Sequence, residues 1–214
     1  MDKPTLTSVF DYRALRLLMG LIAFSLPIVV SLIASERLTS ISASYYSNAR
    51  DIFVGLLFVV GSFLFAYNGH TESESASSKV ASIAAVFVAL CPTECPTCET
   101  SATSVIHYVA AAVLFSILAY FCFIPFRRGI KGLGGKKARR SGIYLISGVT
   151  MIGCMVVISF AHFLLSQETM DRLRITYYGE AIALMAFGIA WIASGKFFRL
   201  IADDDELYYL FGGK

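Results

Sequence analysis

SISASYYSNARDIFVGLLF, residues 40–58, decides the fold class of this chain. The stretch begins as a hydroxyl-rich segment, passes through Arg50 and Asp51, and continues without a break into an apolar run. A charged pair at the entrance to so apolar a segment is typical of the boundary between water and lipid. The stretch therefore predicts a membrane-spanning helix that begins near residue 52.

The composition of the whole chain points the same way. Of its 214 residues, 57% are hydrophobic and only 15% are charged, whereas soluble domains carry about 25% charged residues. A lipid-facing surface that is itself apolar explains both deviations. We therefore predict an all-α polytopic membrane helix bundle that forms one integral membrane domain over residues 1–214. The sequence contains no nucleic-acid-binding motif, so we expect no nucleic-acid partner.

The apolar segments predict six transmembrane helices. About 20 residues cross a bilayer as a helix. The third segment is the shortest, with an apolar core only over residues 80–91, and it reaches full length only if Lys79 extends its amine to the interface. The predicted helices are at about residues 17–35, 52–68, 76–92, 103–126, 142–165 and 176–195.

The distribution of Lys and Arg predicts the orientation. With six crossings, the two termini and residues 69–79 and 127–141 share one side, which carries fourteen Lys and Arg against four on the other. Positive residues are enriched in cytoplasmic segments, so we predict that both termini are cytoplasmic and that the protein lies in the inner (plasma) membrane. RRGIKGLGGKKARR, residues 127–140, supplies seven of the charges. We interpret it as a topology determinant that faces anionic lipid, with specific lipid or partner binding as the alternative.

Four ionisable residues are predicted at a similar depth near the outer ends of four helices: Asp51, His107, His162 and Glu180. Ionisable groups within a span are costly and usually face a partner or a wet cavity. If these four point inward, they form a polar pocket under the outer loops, with tyrosines at the headgroup level. The candidate ligand-binding residues are Arg50, Asp51, His107, His162, Glu180, Tyr45 and Tyr177.

Three interpretations of this cluster remain open. It is a structural hydrogen-bond network, with Arg50 or Arg174 as counter-ion; a pocket for a lipid headgroup or small polar ligand; or a metal or general acid–base site. His107, His162 and Glu180 match a zinc site in ligand type. The sequence has no HxxxH or HExxH spacing, so these ligands would have to converge from separate helices.

Three cysteines, Cys91, Cys95 and Cys98, fall in the predicted outer loop between the third and fourth helices. In an oxidising compartment two of them are expected to form a disulfide. Metal binding with Glu94 or Glu99 and a Cys95–Cys98 redox pair are the alternatives. A further pattern, Ala186, Ala190 and Ser194, places small residues every fourth position of the sixth helix. This pattern predicts close helix packing, either within the bundle or across a homodimer.

The layout resembles the Frag/DRAM/Sfk type of six-helix membrane proteins and neighbouring bacterial families. In both, a hydroxyl-rich outer loop leads through a charged residue and a phenylalanine into the second helix. The resemblance implies six short-looped helices with both ends in the cytoplasm and a role in lipid handling or membrane trafficking, and it implies no catalytic set. The residues that carry it are Ser40, Ser42, Arg50, Asp51, Ile52, Phe53 and Gly55.

Together these observations favour a non-enzymatic function: binding of a membrane lipid or small polar ligand in an outer-leaflet pocket, or a structural role in the envelope. One alternative is a membrane-embedded, metal-dependent hydrolase or lipid-modifying enzyme that uses Asp51, His107, His162 and Glu180, with zinc as the metal. Another is a proton-coupled transporter, which the sequence disfavours because no strong charge is predicted at mid-membrane and no inverted repeat is evident.

Overall fold

A computed structural model describes residues 12–93 and 102–208, and within these ranges the chain is all-α, with seven α-helices and no strand. Two 3₁₀ turns, Ser42–Tyr46 and Pro125–Arg127, lie in the connections. The helices are α1 (Tyr12–Ile33), α2 (Arg50–Ala66), α3 (Glu72–Leu90), α4 (Ala102–Phe123), α5 (Gly135–Leu164), α6 (Gln167–Leu173) and α7 (Ile175–Gly195).

The predicted helix starts need correction at three places. Helix α1 is already helical at Tyr12, five residues before the predicted start, because residues 13–16 are good helix formers. Helix α5 begins at Gly135, seven residues before the predicted start, because the basic segment that follows is composed of good helix formers. Helix α3 begins at Glu72 rather than near residue 76, because the Thr71 hydroxyl accepts a hydrogen bond from the Glu74 amide and caps the helix. The short α6 was not predicted.

Six helices form a closed ring. Each of α1 to α4 packs against the next helix, α5 packs against α7, and α7 closes the ring on α1. The α1–α7 contact is close at Gly20 and Gly188, where a Cβ on either residue would lie 2.6 Å from the backbone oxygen of the other. The small-residue stripe of α7 is buried within the protomer, as in the internal-packing alternative: Ala186, Ala190 and Ser194. The homodimer itself stays a prediction.

The outer surface of the ring is apolar. Large hydrophobic side chains are exposed on all six ring helices, among them Leu32, Phe65, Phe87, Val109 and Phe163. Four helices of the described part, α1, α4, α5 and α7, are long and apolar enough to cross a membrane. Helix α2 has only 17 residues, and α3 begins with the polar sequence ESESASSK. The fold is therefore compatible with a membrane protein.

The ring has two ends. The loop face comprises residues 34–49, 91–93 and 165–174, and the terminal face comprises residues 67–71, 124–134 and 196–208. Between them, Trp191 packs edge-on or tilted against the rings of Tyr67, Phe121, Phe126 and Phe187. These five rings form an aromatic cluster that closes the inside of the bundle near the terminal face. The candidate residues named above lie toward the other end.

Candidate functional site

A cavity of about 920 Å³ lies at the loop face, between α4, α5 and α7 and beside residues 36–47. We call it the loop-face cavity. One end is polar and includes Glu36, Arg37, His162, Asp171 and Glu180. The deeper wall is apolar and includes Ala112, Phe115, Met155, Ile158 and Ala183. The cavity therefore offers charged groups at one end and a hydrocarbon-like surface at the other.

Glu180, in the second turn of α7, fixes the loop that covers this cavity. Its Oε2 accepts hydrogen bonds from the backbone amides of Ile41, at 2.6 Å, and Ser42, at 3.2 Å. Its Oε1 lies 3.3 Å from the Ser42 hydroxyl. Two consecutive amides and a hydroxyl directed at one carboxylate are a specific anchor, because hydrogen bonds to a charged acceptor are stronger than neutral ones.

The start of α7 makes further contacts with the same loop. Arg174 donates from Nε to the Leu38 carbonyl at 2.7 Å, and the Tyr177 amide donates to the Thr39 carbonyl at 3.0 Å. The Tyr177 hydroxyl lies 2.7 Å from the Ser31 hydroxyl on α1. Residues 38–42 are thus attached to α7 at several points, which holds the polar end of the cavity in place.

His107 is buried on α4 and joins the same network through Ser42. Its Nδ1 lies 2.7 Å from the Cys91 carbonyl oxygen, and its Nε2 lies 3.1 Å from the Ser42 hydroxyl. Because a carbonyl oxygen can only accept, Nδ1 must carry a hydrogen and donate. His107, Ser42 and Glu180 therefore form a continuous hydrogen-bonded chain, which we call the proton chain.

The proton chain has two self-consistent arrangements, because Ser42 has one hydroxyl hydrogen. In one, a protonated Glu180 donates to Ser42, which donates to Nε2 of a neutral His107. In the other, a doubly protonated His107 donates to Ser42, which donates to ionised Glu180. Both hold the same number of protons. The two arrangements therefore differ only in which end of the chain, Glu180 or His107, holds the additional proton.

The structure brings together only part of the predicted site. Glu180 and His162 line the cavity, and His162 Nε2 lies 3.5 Å from the Thr176 hydroxyl. His107 joins only through Ser42, and Tyr177 braces the loop. The remaining three lie outside the cavity lining: exposed Arg50 donates to the Tyr45 hydroxyl at 2.7 Å, and Asp51 is exposed in the first turn of α2.

Within the described residues, the contacts of Arg50 and Arg174 are to aromatic rings and uncharged oxygens, and their predicted role as counter-ion stays a prediction. Arg50 stacks on the Tyr45 ring, with 4.2 Å between its guanidinium carbon and the ring centroid. Arg174 stacks on the Tyr177 ring at 3.7 Å and donates to a backbone carbonyl. Among the described residues, neither arginine lies within ion-pair distance of a carboxylate. Aromatic faces and a carbonyl replace the expected acid.

The zinc set His107, His162 and Glu180 is not assembled either. Both ring nitrogens of His107 are in hydrogen bonds, and its side chain does not line the cavity that His162 lines. Over residues 12–93 and 102–208, no three His, Cys, Asp or Glu side chains are grouped closely enough to hold a metal ion. The enzyme alternative therefore loses the ligand set on which it was based.

Tyr46, Ser42 and Asp171 belong to the site but were not among the predicted ligand-binding residues. Tyr46 lines the cavity and donates from its hydroxyl to the Thr93 carbonyl at 2.5 Å. Burial and the neighbouring Tyr45 raise the pKa of Tyr46, so its hydroxyl keeps its hydrogen as a donor. The adjacent tyrosines and serines of residues 40–47 were the available signal, because a polar run of this kind often donates to nearby backbone.

The cysteine predictions fall largely outside the described residues. Cys91 forms no disulfide within residues 12–93 and 102–208. Cys95 and Cys98 lie outside those ranges, as do Glu94 and Glu99. The predicted pairing and its metal and redox alternatives stay predictions.

Comparison with known proteins found no matching family model, no matching curated protein and no matching solved structure. The resemblance to the Frag/DRAM/Sfk type therefore stays a prediction, and function has to be argued from the site itself.

Proposed function

We propose that this chain is a six-span integral membrane protein of the inner (plasma) membrane, with both termini cytoplasmic, and that it binds a lipid or another amphiphile in the loop-face cavity. The observation that carries the proposal is the polarity gradient of that cavity. A site with charged groups at one end and an apolar wall at the other matches a molecule with a polar head and a hydrocarbon chain.

The contacts at both ends of α3 support six spans. At the terminal face, Glu74 in its first turn forms an ion pair with Arg128, between α4 and α5. At the loop face, Thr93 accepts from Tyr46. Helix α3 thus extends between the same two ends as the more apolar helices. At 17 and 19 residues, α2 and α3 are about 25 and 28 Å long, close to the hydrocarbon thickness of about 30 Å.

The proposed orientation rests on the unequal distribution of Lys and Arg between the two sides of the membrane. Fourteen Lys and Arg belong to the terminal side and four to the loop side. Positive residues concentrate on the cytoplasmic side, so the loop face and its cavity are assigned to the outer side. The ligand would then be taken from the outer leaflet or from the outer solution.

The charges at the polar end favour a particular head group. Three carboxylates line the cavity, from Glu36, Asp171 and Glu180, against the single guanidinium of Arg37. An excess of negative charge attracts cations and repels anions. The polar end of the ligand is therefore expected to be an amine or a group rich in hydrogen-bond donors, rather than a bare phosphate.

The test is a binding titration with the full-length protein in detergent or bilayer discs. A long-chain alkylamine and an alkyl sulfate of equal chain length serve as probes, and calorimetry measures their affinities. The amine is expected to bind at least tenfold more tightly. Glu180→Gln should reduce this preference, and Glu168→Gln, at an exposed glutamate of the same face, should retain it. Equal affinities for both probes in the unaltered protein would contradict the proposal.

The proton chain favours a second candidate, proton-coupled transport of the same ligand. The Ser42 hydroxyl links a cavity carboxylate to a buried histidine, and such chains mark proton relays in transporters. In liposomes, addition of the alkylamine should move protons across the membrane, as reported by a trapped pH dye. Ser42→Ala should abolish that flux without abolishing binding. Binding with no flux in the unaltered protein would leave the binding function alone.

A further inference from the structure

A second cavity, of about 390 Å³, opens at the opposite end of the bundle, and its lining is strongly basic. We call it the terminal-face cavity. The starts of α1 and α5, the end of α7 and the connections before α3 and α5 all contribute to it. Its walls carry five positive side chains and no carboxylate: Arg13, Arg16, Arg128, Arg140 and Lys196.

Two carboxylates behind the wall neutralise part of this charge. Buried Glu74 pairs with Arg128. Glu206 pairs with Arg140, at 2.9 Å, and with Lys196, at 3.0 Å. Set against these two carboxylates are four of the positive side chains, a formal excess of two positive charges: Arg16, Arg128, Arg140 and Lys196. Charge held between helices away from bulk water is costly unless a counter-charge is supplied.

Arg16 shows where that counter-charge is missing. Its guanidinium donates to the Tyr67 hydroxyl at 3.0 Å and to the Ser194 carbonyl at 3.3 Å. It also lies against the rings of Tyr67 and Phe126. All these partners are uncharged, and its buried Nε has no hydrogen-bond partner among the described residues. A partly buried guanidinium that faces a cavity without an acid is suited to an anion from outside the chain.

The chemistry of the wall selects the type of anion. Arginine forks match the paired oxygens of phosphate and bind them with two parallel hydrogen bonds. Burial raises the pKa of Tyr67, although the nearby Arg16 opposes the rise, so its hydroxyl keeps its hydrogen. Trp191, another member of the aromatic cluster, packs directly behind Tyr67 and Phe126. The cavity is therefore closed toward the bundle interior and has room for a head group but not for an acyl chain along the bundle axis.

We propose that the terminal-face cavity binds a phosphate group, presented either by the head of an anionic phospholipid or by a soluble phosphate. The site is separate from the loop-face cavity and opposite to it in charge. Basic pockets between transmembrane helices on the cytoplasmic side bind anionic head groups in other membrane proteins. Residues 127–140 thereby supply two ligand-facing arginines, Arg128 and Arg140, besides the exposed charges that set topology.

Trp191 provides the readout. It is the single tryptophan of the chain, and its ring centroid lies 5.4 Å from that of Tyr67 and 5.3 Å from that of Phe126, both of which line the cavity. The full-length protein in phosphatidylcholine discs is titrated with inorganic phosphate at constant ionic strength, with chloride as the control anion. Separately, phosphatidylglycerol replaces part of the phosphatidylcholine in the discs.

The variants compare one lining arginine with one outside the lining. Arg16→Gln is expected to weaken the fluorescence response at least tenfold in affinity, whereas Arg139→Gln, at an exposed arginine of the same basic segment, should respond as the unaltered protein does. If Arg16→Gln does not fold, Arg13→Gln, at another lining residue, takes its place. A response to inorganic phosphate identifies a soluble source, and a response only to phosphatidylglycerol identifies the lipid. No response to either, or equal loss in the lining and control variants, would overturn the proposal.

Discussion

At the scale of single residues, Glu180 is the group on which the loop-face cavity depends most. One carboxylate satisfies two backbone amides and touches a hydroxyl that also reaches His107. Loop backbone that is not in a helix or sheet needs such partners, because unpaired polar groups near lipid are costly. The residue thus anchors the loop and places a carboxyl group at the cavity wall at the same time.

Glu180→Ala is expected to release residues 38–42 from α7. Hydrogen bonds to a charged acceptor contribute about 1.5–3 kcal/mol each, so the amides of Ile41 and Ser42 should exchange with deuterium at least tenfold faster. Hydrogen exchange with mass spectrometry measures this change. Asp51→Ala, which removes an exposed carboxylate at the start of α2, serves as the control and should leave the exchange unchanged. Unchanged protection in Glu180→Ala would show that other contacts hold the loop.

The positions of the candidate residues along their helices were predictable from the sequence, but their hydrogen-bond partners were not. Glu180 and His162 do line a cavity at the loop face, as their distance from the helix ends suggested. Asp51 does not, because the side of a helix that faces the bundle depends on how the helices rotate against one another. The terminal-face cavity was not predicted, although the spacing of residues in α5 contained a signal for it. Arg140 continues the buried face of Tyr144, Ser147 and Met151 at helical spacing.

At the scale of elements, the α1–α7 contact closes the ring. It requires glycine on both helices, because the backbones at Gly20 and Gly188 approach too closely for a side chain. Contacts of this kind recur between transmembrane helices, where packing rather than the hydrophobic effect drives association.

Gly188→Ala is expected to destabilise the fold by about 1–3 kcal/mol, the usual range for overpacking. Its Cβ would meet the Gly20 oxygen at 2.6 Å and the Phe24 nitrogen at 2.8 Å, both of them backbone atoms that cannot rotate away. Gly55→Ala is the matched control, since nothing lies within 4 Å of its Cβ. Unfolding in detergent measures both variants. Equal stability of the two would contradict the close contact.

The segment after α7, residues 196–208, is held by contacts that depend on pH. Glu206 holds it against α5 and α7 through Arg140 and Lys196. Burial alone would raise the pKa of Glu206, but the hydrogen bonds and charges of Lys196 and Arg140 outweigh it, so the pKa lies below the ordinary 4.5. A lowered pKa in the folded state means that the contacts stabilise the segment above about pH 4.5 and lose that effect as the pH falls further.

Acidification from pH 6 to pH 3 is therefore expected to release residues 196–208. Deuterium exchange at the Tyr208 amide, which donates to the Lys196 carbonyl, should accelerate after correction for intrinsic rates. Glu206→Gln should show fast exchange at both pH values. A segment that stays protected at pH 3 would contradict the role of this carboxylate.

Helix positions were the most predictable elements. The ends of the six ring helices fall within three residues of the ends of the apolar segments, because the polar residues that end an apolar run are also those that form the connections between helices. Their starts were less predictable. The apolar run of α5 starts only after its Lys and Arg residues, whereas the backbone is already helical through those basic residues.

At the scale of the whole molecule, the connection at residues 67–71 distinguishes six spans from four. If α2 and α3 did not cross, the other four helices would keep the same orientation and only this connection would change sides. Length and composition support four spans directly. The pairing of Glu74 with Arg128 favours six, because it holds the start of α3 beside the α4–α5 connection.

Thiol labelling resolves this point. In a variant whose native cysteines are replaced, His70→Cys should react with a membrane-impermeant reagent only from the cytoplasmic side, together with Lys131→Cys. Glu168→Cys at the loop face should react only from outside. If His70→Cys reacts together with Glu168→Cys, α2 and α3 do not span the membrane.

If the loop-face cavity holds an amphiphile, a side chain that fills the cavity should displace it. Ala112 lines the cavity, and Val109, one turn away on α4, is exposed and does not. Alkylamine binding is measured for Ala112→Trp and Val109→Trp in bilayer discs. We expect at least a tenfold weaker affinity for Ala112→Trp, about 1.4 kcal/mol, and an unchanged affinity for Val109→Trp. Equal affinities in the two variants would show that the alkylamine does not bind in the loop-face cavity.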